Sequence, residues 1–580
     1  MRTDRASRLG RAGGAVTAMV LVLAACTGSQ NEPAQTSITE PPTTRPAPTT
    51  TPTTEARCRD VFCVEYHIHP DASWADRVPV TASDFVFTFE TIIDPELDID
   101  DRAGYEKITG YEIVDDKTVL FSFSEVYGAW QTLFSPVLPR HELLDEPINS
   151  VWDEAITMGS GPFEFSEWIE ADRIVLRRNQ NYWSSTDRSS GAAIGDVQEL
   201  HFVFVETGEA MVERLADETV DVVAPVPEPS MIPRLEGMQD VNFDVAAGTL
   251  SELIHFNHDD PLLSQKFIRQ AIAQAIDRTA IVEELVRPID PNAQPLGNAI
   301  SVQGSSAYED HFNNVYPYNP VAAERLLVEN GCLRGEDGIY TCAGQRLLFR
   351  WSTTGAQEHR EIIFDLAQQD LAEIGIEVVP TFAPTSVILS VPYIYGDSSV
   401  WQMLNVARIH YADESNANST FYCEGDSPAG FGFLNFIRYC NEQVDDLVRS
   451  TDSITDQTER NSVYNRADAI YLEDLAVVPL YQRPSLLAWN AELNGPEINT
   501  STATDLWNVS AWAGQEIVAV GIDQSPASLQ ILEPDGSTGG GQQVTAMVVA
   551  PILEGAFALN PRFEYVPILV ESADLIFRDG

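Results

Sequence analysis

The residues best suited to metal chemistry are the two histidines of "EYHIHP", His67 and His69. Side chains alternate between the faces of a strand, so the two imidazoles would share one face and could meet a metal ion. No third ligand can be placed beside them from the sequence, and a polar strand face is the favoured interpretation. The chain contains no GxSxG elbow, HExxH helix, P-loop or dinucleotide fingerprint. We therefore expect no enzymatic activity, no metal and no cofactor, and keep a secreted hydrolase only as a minor alternative.

The cysteines indicate an oxidising compartment. Apart from Cys26 there are six, an even number that permits three disulfides in many possible connectivities. The simplest pairing joins sequence neighbours, which gives Cys58 with Cys63, Cys332 with Cys342, and Cys423 with Cys440. A thiolate metal site is a weaker interpretation, because the chain has no CxxC pair.

The N-terminal segment predicts export and a lipid anchor. Four arginines precede the apolar run "AVTAMVLVLAA", which is too short to span a bilayer, so residues 1–25 read as a signal peptide. The end of this segment, "LAAC" at 23–26, resembles the bacterial lipobox, in which the cysteine is lipidated. An ordinary signal peptide with an incidental Cys26 is the alternative. Residues 26–56 are rich in Pro and Thr and are expected to form an extended tether.

Charge and composition limit the class of partner. The chain has 35 Lys and Arg against 87 Asp and Glu, a formal net charge of -52. A nucleic-acid-binding surface requires a basic footprint, so we expect no nucleic-acid partner. With 580 residues, 44% of them hydrophobic, the chain is long enough for more than one lobe.

Helix and strand signals alternate along the body of the chain. Thr81 is the expected N-cap of a helix, with Asp84 three residues on and Pro95 as its stop. Asn319 and Gly331 bound a second helix in the same way. Strand-like stretches such as "YEIVDDKTVLFSF" separate such helices. The pattern predicts an α/β fold.

Four longer segments carry a resemblance to one family. In chain order they are "VTASDFVFTFETIIDPE" at 80–96, "GSGPFEFSEWIEADRIVLRRNQNYW" at 159–183, "FNHDDPLLSQKFIRQAIAQAIDRTAIVEELV" at 256–286 and "YPYNPVAAERLLVENG" at 316–331. They are similar to the bacterial family 5 extracellular solute-binding proteins, the peptide, dipeptide and nickel receptors of ABC importers. The resemblance implies a two-lobed periplasmic-binding-protein fold of the large peptide-receptor class, which captures ligand between its lobes.

The order of the segments differs from that of the family. Family members begin with a strand like "VAVGIDQSPASLQIL", followed by segments like "ILEGAFALNP" and "YVPILVESADLIFRDG", which here stand at the end of the chain. The resemblance therefore predicts a circular permutation, with residues 515–580 supplying the family's N-terminal part. A second, truncated copy would explain the tail but not the missing beginning.

The same comparison divides the body into lobes. Residues 57–255 form lobe I with a subdomain, residues 256–479 form lobe II, and residues 480–514 return to lobe I. The two crossings would make a hinge between an open and a closed state.

The segment "RIHYADESNAN" at 408–418 is the expected centre of ligand binding. Peptide-binding relatives carry Trp-x-x-Asp here, and the resemblance assigns Asp413 to the ligand's ammonium and His410 to the Trp position. A buried ammonium requires an opposite charge, so we expect the Asp413 carboxylate to be free of any Lys or Arg of the protein. A capping role for Asp413 is the alternative. Further candidates for the ligand site are Arg408, Tyr411, Asn257, Tyr127 and Trp130.

Together these features predict a lipid-anchored, monomeric receptor that captures peptides and delivers them to an ABC permease with its ATPases. The expected location is the outer face of the cytoplasmic membrane. The same fold binding a nickel chelate or another small solute is the alternative, since a fold does not fix its ligand.

Overall fold

Strands and helices alternate in the computed structural model, which describes residues 57–99, 102–305, 307–355, 357–411, 413–425, 427–501, 505–532 and 540–578. The predicted signal peptide, Cys26 and the predicted tether lie outside these residues. The strands are β1 (Phe62–Ile68), β2 (Ile108–Asp115), β3 (Thr118–Phe123), β4 (Phe163–Ile169), β5 (Arg173–Arg178), β6 (Glu199–Phe204), β7 (Val222–Val223), β8 (Val241–Phe256), β9 (Leu333–Arg334), β10 (Tyr340–Cys342), β11 (Gln345–Arg346), β12 (Leu348–Thr354), β13 (Glu377–Ala383), β14 (Met403–Ile409), β15 (Val477–Asn490), β16 (Ile517–Ile522), β17 (Phe557–Leu559), β18 (Tyr565–Pro567) and β19 (Val570–Phe577).

The α-helices are mostly short. They are α1 (Ala82–Ile93), α2 (Arg140–Leu143), α3 (Gly208–Ala216), α4 (Met231–Glu236), α5 (Lys266–Ala275), α6 (Arg278–Leu285), α7 (Pro320–Glu329), α8 (Glu358–Glu373), α9 (Thr385–Ile388), α10 (Val391–Ile394), α11 (Glu442–Thr451), α12 (Gln457–Glu473) and α13 (Gly540–Val549). Among the described residues, no helix is long and apolar enough to cross a bilayer.

The helix boundaries follow the capping signals of the sequence. At the start of α1, the Asp84 carboxylate accepts the backbone N–H of Thr81 at 2.7 Å, which closes a capping box. At the start of α7, Asn319 accepts from the backbone N–H of Ala322 at 3.0 Å, and Gly331 follows its end with a φ of 80°. Both predicted helices are confirmed.

One ten-stranded sheet connects the two halves of the molecule. Its order is β13-β12-β14-β8-β15-β7-β16-β6-β5-β4, and its centre is the long antiparallel pair β8 and β15. The part around β14 packs into a core that runs from Leu253 to Tyr481. The part around β16 packs into a separate core shared with residues 87–176 and 506–553. This division agrees with lobe II at residues 256–479 and lobe I in the remainder, although the boundaries themselves stay a prediction.

A second sheet, of order β19-β1-β3-β2, forms the subdomain of lobe I. β1 pairs antiparallel with β3 on one side and with β19 on the other. Beyond β19, the backbone N–H of Arg578 donates to the carbonyl of Val61 at 3.0 Å, and Arg578 Nη1 donates to the carbonyl of Cys58 at 2.7 Å. The two ends of the described chain therefore meet at adjacent strands.

The C-terminal segment is an integral part of lobe I. β16 lies between β6 and β7 and is parallel to both. The approach of the tail to Cys58 is as predicted, while Gly580 lies outside the described residues. Placement of β16 in the same lobe as residues 111–123 stays a prediction, since those residues belong to the four-stranded sheet. The tail is not an appended copy, because the sheet of lobe I is incomplete without it. Circular permutation relative to the family remains a prediction.

All three disulfides of the simplest pairing are present, with Cα–Cα distances of 5.9, 4.3 and 4.8 Å for Cys58–Cys63, Cys332–Cys342 and Cys423–Cys440. The Cys332–Cys342 distance lies just below the usual range of about 4.4 to 6.8 Å. It closes a turn in which Gly338 has a φ of 87°.

Reversing the predicted permutation gives the first test. A chain that runs from 515 to 578, continues through a short Gly-Ser linker to residue 57 and ends at 513 is expected to melt within a few degrees of the wild type. The new junction joins adjacent strands, and the new termini flank the exposed Gly514. Deletion of residues 515–578 is the control and is expected to abolish cooperative melting by circular dichroism. Failure of the rearranged chain to fold would contradict the permutation.

Candidate functional site

A cavity of about 1030 Å³ lies where β8 and β15 cross between the lobes. We call it the hinge cavity. Its walls come from both crossing strands (248–250, 481 and 483–486), from lobe I (224–230, 499–500, 505 and 547) and from lobe II (283–285, 288–289, 357–359 and 362). A cavity of this size, lined by two lobes, is typical of a small-molecule or peptide site.

Arg483 is placed at the hinge cavity by an irregularity of β15. The register of β15 against β8 shifts between Pro479 and Tyr481 and again between Gln482 and Pro484. Such bulges change the direction in which a side chain points, and a proline cannot donate to the ladder. Arg483 lies within the second shift, and its side chain reaches the cavity wall.

Glu252 on β8 anchors the charged groups beside this cavity. Its buried carboxylate accepts from Arg483 Nε at 2.9 Å, from Arg360 Nη2 at 3.2 Å and from Asn405 Nδ2 at 2.9 Å. His359 Nε2 lies 3.4 Å from the same carboxylate. Burial alone would raise the pKa of Glu252, but His359 and the two guanidinium groups outweigh it and lower the pKa.

The cluster around Glu252 has more cations than carboxylates. Arg483 Nη1 makes no hydrogen bond within the described residues, and His359 is about one third exposed at the cavity. In a chain with a net charge of -52, this part of the wall thus holds a guanidinium with one N–H donor not used by the described residues.

Asp413 does not have the free carboxylate that the sequence analysis predicts. Arg460 on α12 donates from Nη2 to Asp413 Oδ2 at 2.5 Å, and both side chains are buried. Asp413 also caps a 3-10 helix (Glu414–Thr420), accepting the backbone N–H of Ser415 at 3.1 Å. The prediction is wrong on this point, because a buried carboxylate needs a partner and Arg460 supplies it from within the chain.

The same arginine joins the lobes at a second place. Arg460 Nη1 donates to the carbonyl of Gly128 in lobe I at 3.1 Å, and the Gly128 N–H donates to the carbonyl of Asp452 in lobe II at 2.7 Å. A Cβ on Gly128 would lie 2.6 Å from the carbonyl oxygen of Ile454. Only glycine permits this approach of the two backbones.

The other predicted ligand residues near Asp413 already have partners in the protein. His410 is buried between Ser251 Oγ, 2.6 Å from Nε2, and the carbonyl of Ile300, 2.7 Å from Nδ1. Arg408 donates to Glu414 at 2.9 Å. Tyr411 is exposed. None of these residues lines the hinge cavity, and their ligand role stays a prediction.

The remaining three candidates lie elsewhere. Asn257 is buried and donates to the carbonyl of Trp401 at 3.1 Å, so it secures the start of lobe II. Trp130 packs edge-on against Phe557 with ring centroids 5.4 Å apart, in the core of the subdomain. Tyr127 lines a second cavity, of about 660 Å³, which lies entirely within lobe I.

That second cavity contains an unusual acid. Glu554 accepts from Tyr182 Oη at 2.7 Å and from Trp183 Nε1 at 3.3 Å, and burial raises the pKa of Glu554 to about 7. The carboxyl is thus held by two donors from the protein. It contributes to the contact between the two cores of lobe I.

The histidines of "EYHIHP" do not form a shared metal site. His67 Nε2 lies 3.1 Å from Asp574 and 3.7 Å from Glu65, whereas the His69 ring packs at a tilt against Trp183 with ring centroids 4.8 Å apart. Glu65, His67 and Asp574 could together approach one ion. Glu65, however, already pairs with Arg57 at 2.7 Å.

Sequence comparison identifies the family. The profile of the bacterial extracellular solute-binding proteins, family 5 Middle, matches residues 59–427. The chain belongs to the family 5 extracellular solute-binding proteins. It is 25% identical over 450 residues to the oligopeptide-binding protein OppA of Mycobacterium tuberculosis, covering 74% of this chain and 71% of that protein. Family members are receptors rather than enzymes, and they act outside the cytoplasm.

Solved structures of the family share the fold. Bacillus subtilis AppA in complex with a nonapeptide has a TM-score of 0.57 at 21% identity, over 78% of this chain and 87% of that one. Campylobacter jejuni NikZ in complex with Ni(L-His) has a TM-score of 0.61 at 20% identity, over 78% and 88%. The two-lobed periplasmic-binding fold is confirmed.

Sequence reasoning missed the lining of the hinge cavity, above all Arg483, His359 and Asp505. One signal was available: Arg483 follows the predicted return crossing at 478–481, and side chains next to a hinge face the cleft. The sequence around His359 and Asp505 does not indicate that they line a cavity, because contacts between distant parts of the chain bring them there.

The Asp413–Arg460 pair gives a second test. Arg460→Met leaves the Asp413 carboxylate buried without its partner and is expected to cost about 3 to 5 kcal/mol of unfolding free energy. Adding Asp413→Asn should recover part of this loss, as a double-mutant cycle in urea would measure. The control is Arg234→Met, which breaks an exposed pair with Glu209 and should cost no more than about 1 kcal/mol. Equal losses for the two arginine variants would contradict the assignment.

Proposed function

We propose that this chain is the receptor of an ABC importer, that it captures short peptides in the hinge cavity, and that it delivers them to a membrane permease. The observation that supports the proposal best is the hinge cavity itself, because both lobes and both crossing strands contribute to its wall. A ligand held there contacts both lobes at once and favours the closed state by its differential affinity. The choice of peptides as the ligand class is based on the oligopeptide-binding relatives.

Arg483 and His359 provide the anchor for a peptide in this proposal. A peptide's terminal carboxylate can accept from Arg483 Nη1 while Glu252 holds the rest of the guanidinium in place. Because Glu252 belongs to β8, Arg483 to β15 and His359 to α8, a bound carboxylate would connect both crossing strands to lobe II.

A small, non-peptide solute is the second candidate. It is favoured by one observation: Arg460 already neutralises Asp413, the carboxylate that the family resemblance assigns to a peptide's ammonium. Native mass spectrometry of the purified protein distinguishes the two. Carried-over peptides would support the first proposal, and a metal chelate or another small solute without peptide would favour the second.

Arg483→Gln tests the carboxylate anchor. The probe is a pool of tripeptides to pentapeptides with free termini, compared with the same pool amidated at the C-terminus. Loss of one hydrogen bond to a charged group costs about 1.5 to 3 kcal/mol, so Arg483→Gln should weaken binding of the free pool by about tenfold to 150-fold. The variant should no longer distinguish free from amidated peptides.

Binding of the free and the amidated pools is measured by calorimetry, or by competition followed with native mass spectrometry. The matched control is Arg346→Gln, which removes an exposed arginine paired with Asp337 and Glu377 far from the hinge cavity. It should bind both pools like the wild type. Undiminished discrimination in Arg483→Gln would show that the anchor lies elsewhere.

We further propose that Cys26 carries the lipid anchor and that the receptor is a monomer on the outer face of the cytoplasmic membrane. Cys26→Ser should move the protein from the membrane fraction to the soluble fraction of cells that produce it, because a signal peptide without the acylated cysteine leaves no anchor. Immunoblots of the two fractions measure this, and a variant with Ser in place of Thr27 should stay with the membrane. A membrane-bound Cys26→Ser protein would contradict lipidation.

A further inference from the structure

Asp505 is a carboxylate of the hinge cavity that has no cationic partner among the described residues. Its Oδ1 accepts the backbone N–H of Asn499 at 2.8 Å, and Oδ2 makes no hydrogen bond there. Asn499 is itself fixed in lobe I, since its Nδ2 donates to the carbonyl of Leu559 at 3.1 Å. The backbone of lobe I thus holds a partly buried, ionisable oxygen at the cavity wall.

The other acidic groups at the cavity are either neutralised or solvated. Glu252, beside the cavity, is paired with Arg360 and Arg483, and Glu283 pairs at 2.8 Å with Arg287, which lies just beyond the end of α6. Glu228, Glu284 and Glu358 are exposed, and an exposed charge interacts only weakly with a partner. Among these carboxylates, Asp505 is therefore the one at which binding of a cation would be most favourable.

Comparison with Asp413 also favours Asp505 as the site for a cation. Both aspartates accept a backbone N–H, but only Asp413 has an arginine of the chain against it. A ligand cation would have to displace Arg460 to reach Asp413, whereas the charge of Asp505 is uncompensated.

We propose that Asp505 binds the cationic group of the solute, an ammonium or guanidinium, in the hinge cavity. This inference rests on the proposed function, and it narrows the ligand to an amphoteric solute. The cationic end contacts Asp505 in lobe I, and the carboxylate end contacts Arg483 and His359. A peptide with both termini free has this chemistry.

The charge on Asp505 changes as the pH passes through the pKa of this carboxyl group. Burial raises the pKa of Asp505 from 3.8 to about 6, against the opposing effect of the hydrogen bond from the Asn499 N–H. The folded chain therefore holds a proton on Asp505 between about pH 4 and pH 6 that the unfolded chain has lost, and the contribution of this group to stability decreases as the pH rises through that window. Cation binding should weaken about tenfold for each pH unit below about 6.

Asp505→Asn separates a binding role from a structural one. Asparagine keeps the oxygen that accepts from Asn499 and removes the charge. Without ligand, the variant should melt at a higher temperature than the wild type at pH 7.5 and at the same temperature at about pH 4, where Asp505 is protonated. This pattern of melting temperatures is expected when an unpaired, partly buried charge destabilises the fold. A carboxylate that stabilises the fold through its charge would not give it.

The binding measurement uses the free peptide pool and the same pool acetylated at the N-terminus and blocked at lysine. The wild type should prefer the free pool, and Asp505→Asn should lose this preference, with binding of the free pool reduced at least about thirtyfold. Asp413→Asn is the matched control. It should lower the melting temperature and keep the preference for free peptides.

The outcomes separate this inference from the proposed function. Discrimination of the two pools by Asp505→Asn equal to that of the wild type would overturn the role of Asp505, even if peptides bind. Absence of peptide binding by the wild type, with the stability gain present, would overturn the peptide ligand and leave Asp505 supported as a cation site. If the wild type binds no peptide and Asp505→Asn shows no stability gain, both the proposed function and the role of Asp505 are overturned.

Discussion

The antiparallel pairing of β8 with β15 is the interaction on which the rest of the structure depends. These are the two segments by which the chain passes between lobes, and they pair along most of their length. The sheets of both lobes extend from this pair, with β14 added on one side and β7 on the other. The same two strands carry Glu252 and Arg483. Any change in their relative twist therefore alters the orientation of the lobes and the wall of the hinge cavity together.

Buried charge at the hinge needs this rigid frame. Taking a carboxylate out of water is costly, and Glu252 is stabilised only because Arg360, Arg483 and Asn405 converge on it with good geometry. Convergence of this kind requires that α8, β14 and β15 keep fixed positions relative to β8. Asp505 shows the opposite case, since one backbone N–H is its only donor among the described residues. Glu252 beside the hinge cavity is therefore compensated, whereas Asp505 in its wall has no cation against it among the described residues.

Local signals in the sequence were sufficient for the elements and for much of the topology. Thr81 and Asp84 predicted the start of α1, and the strand-like pattern of the tail segment corresponds to β16, which pairs with β6. The cysteine pairs were predictable because neighbours in sequence are joined by short turns. By contrast, Arg460 lies 47 residues from Asp413, and nothing near either residue indicates that they meet. Pairing of side chains across such separations is decided by the packing of whole elements, which explains why the fold was predictable and the occupants of the site were not.

The position of β16 has a consequence for how the chain reaches its folded state. β16 pairs with β6 and β7, which precede it by roughly three hundred residues, so the sheet of lobe I stays open until the end of the chain has been synthesised. Lobe II has all its strands between Leu250 and Tyr481 and can form its core earlier. During synthesis, the unpaired edges of β6 and β7 are exposed and able to pair wrongly with other chains. Completion of the lobe I sheet therefore requires a segment remote in sequence from β6 and β7, whereas the core of lobe II is built without it.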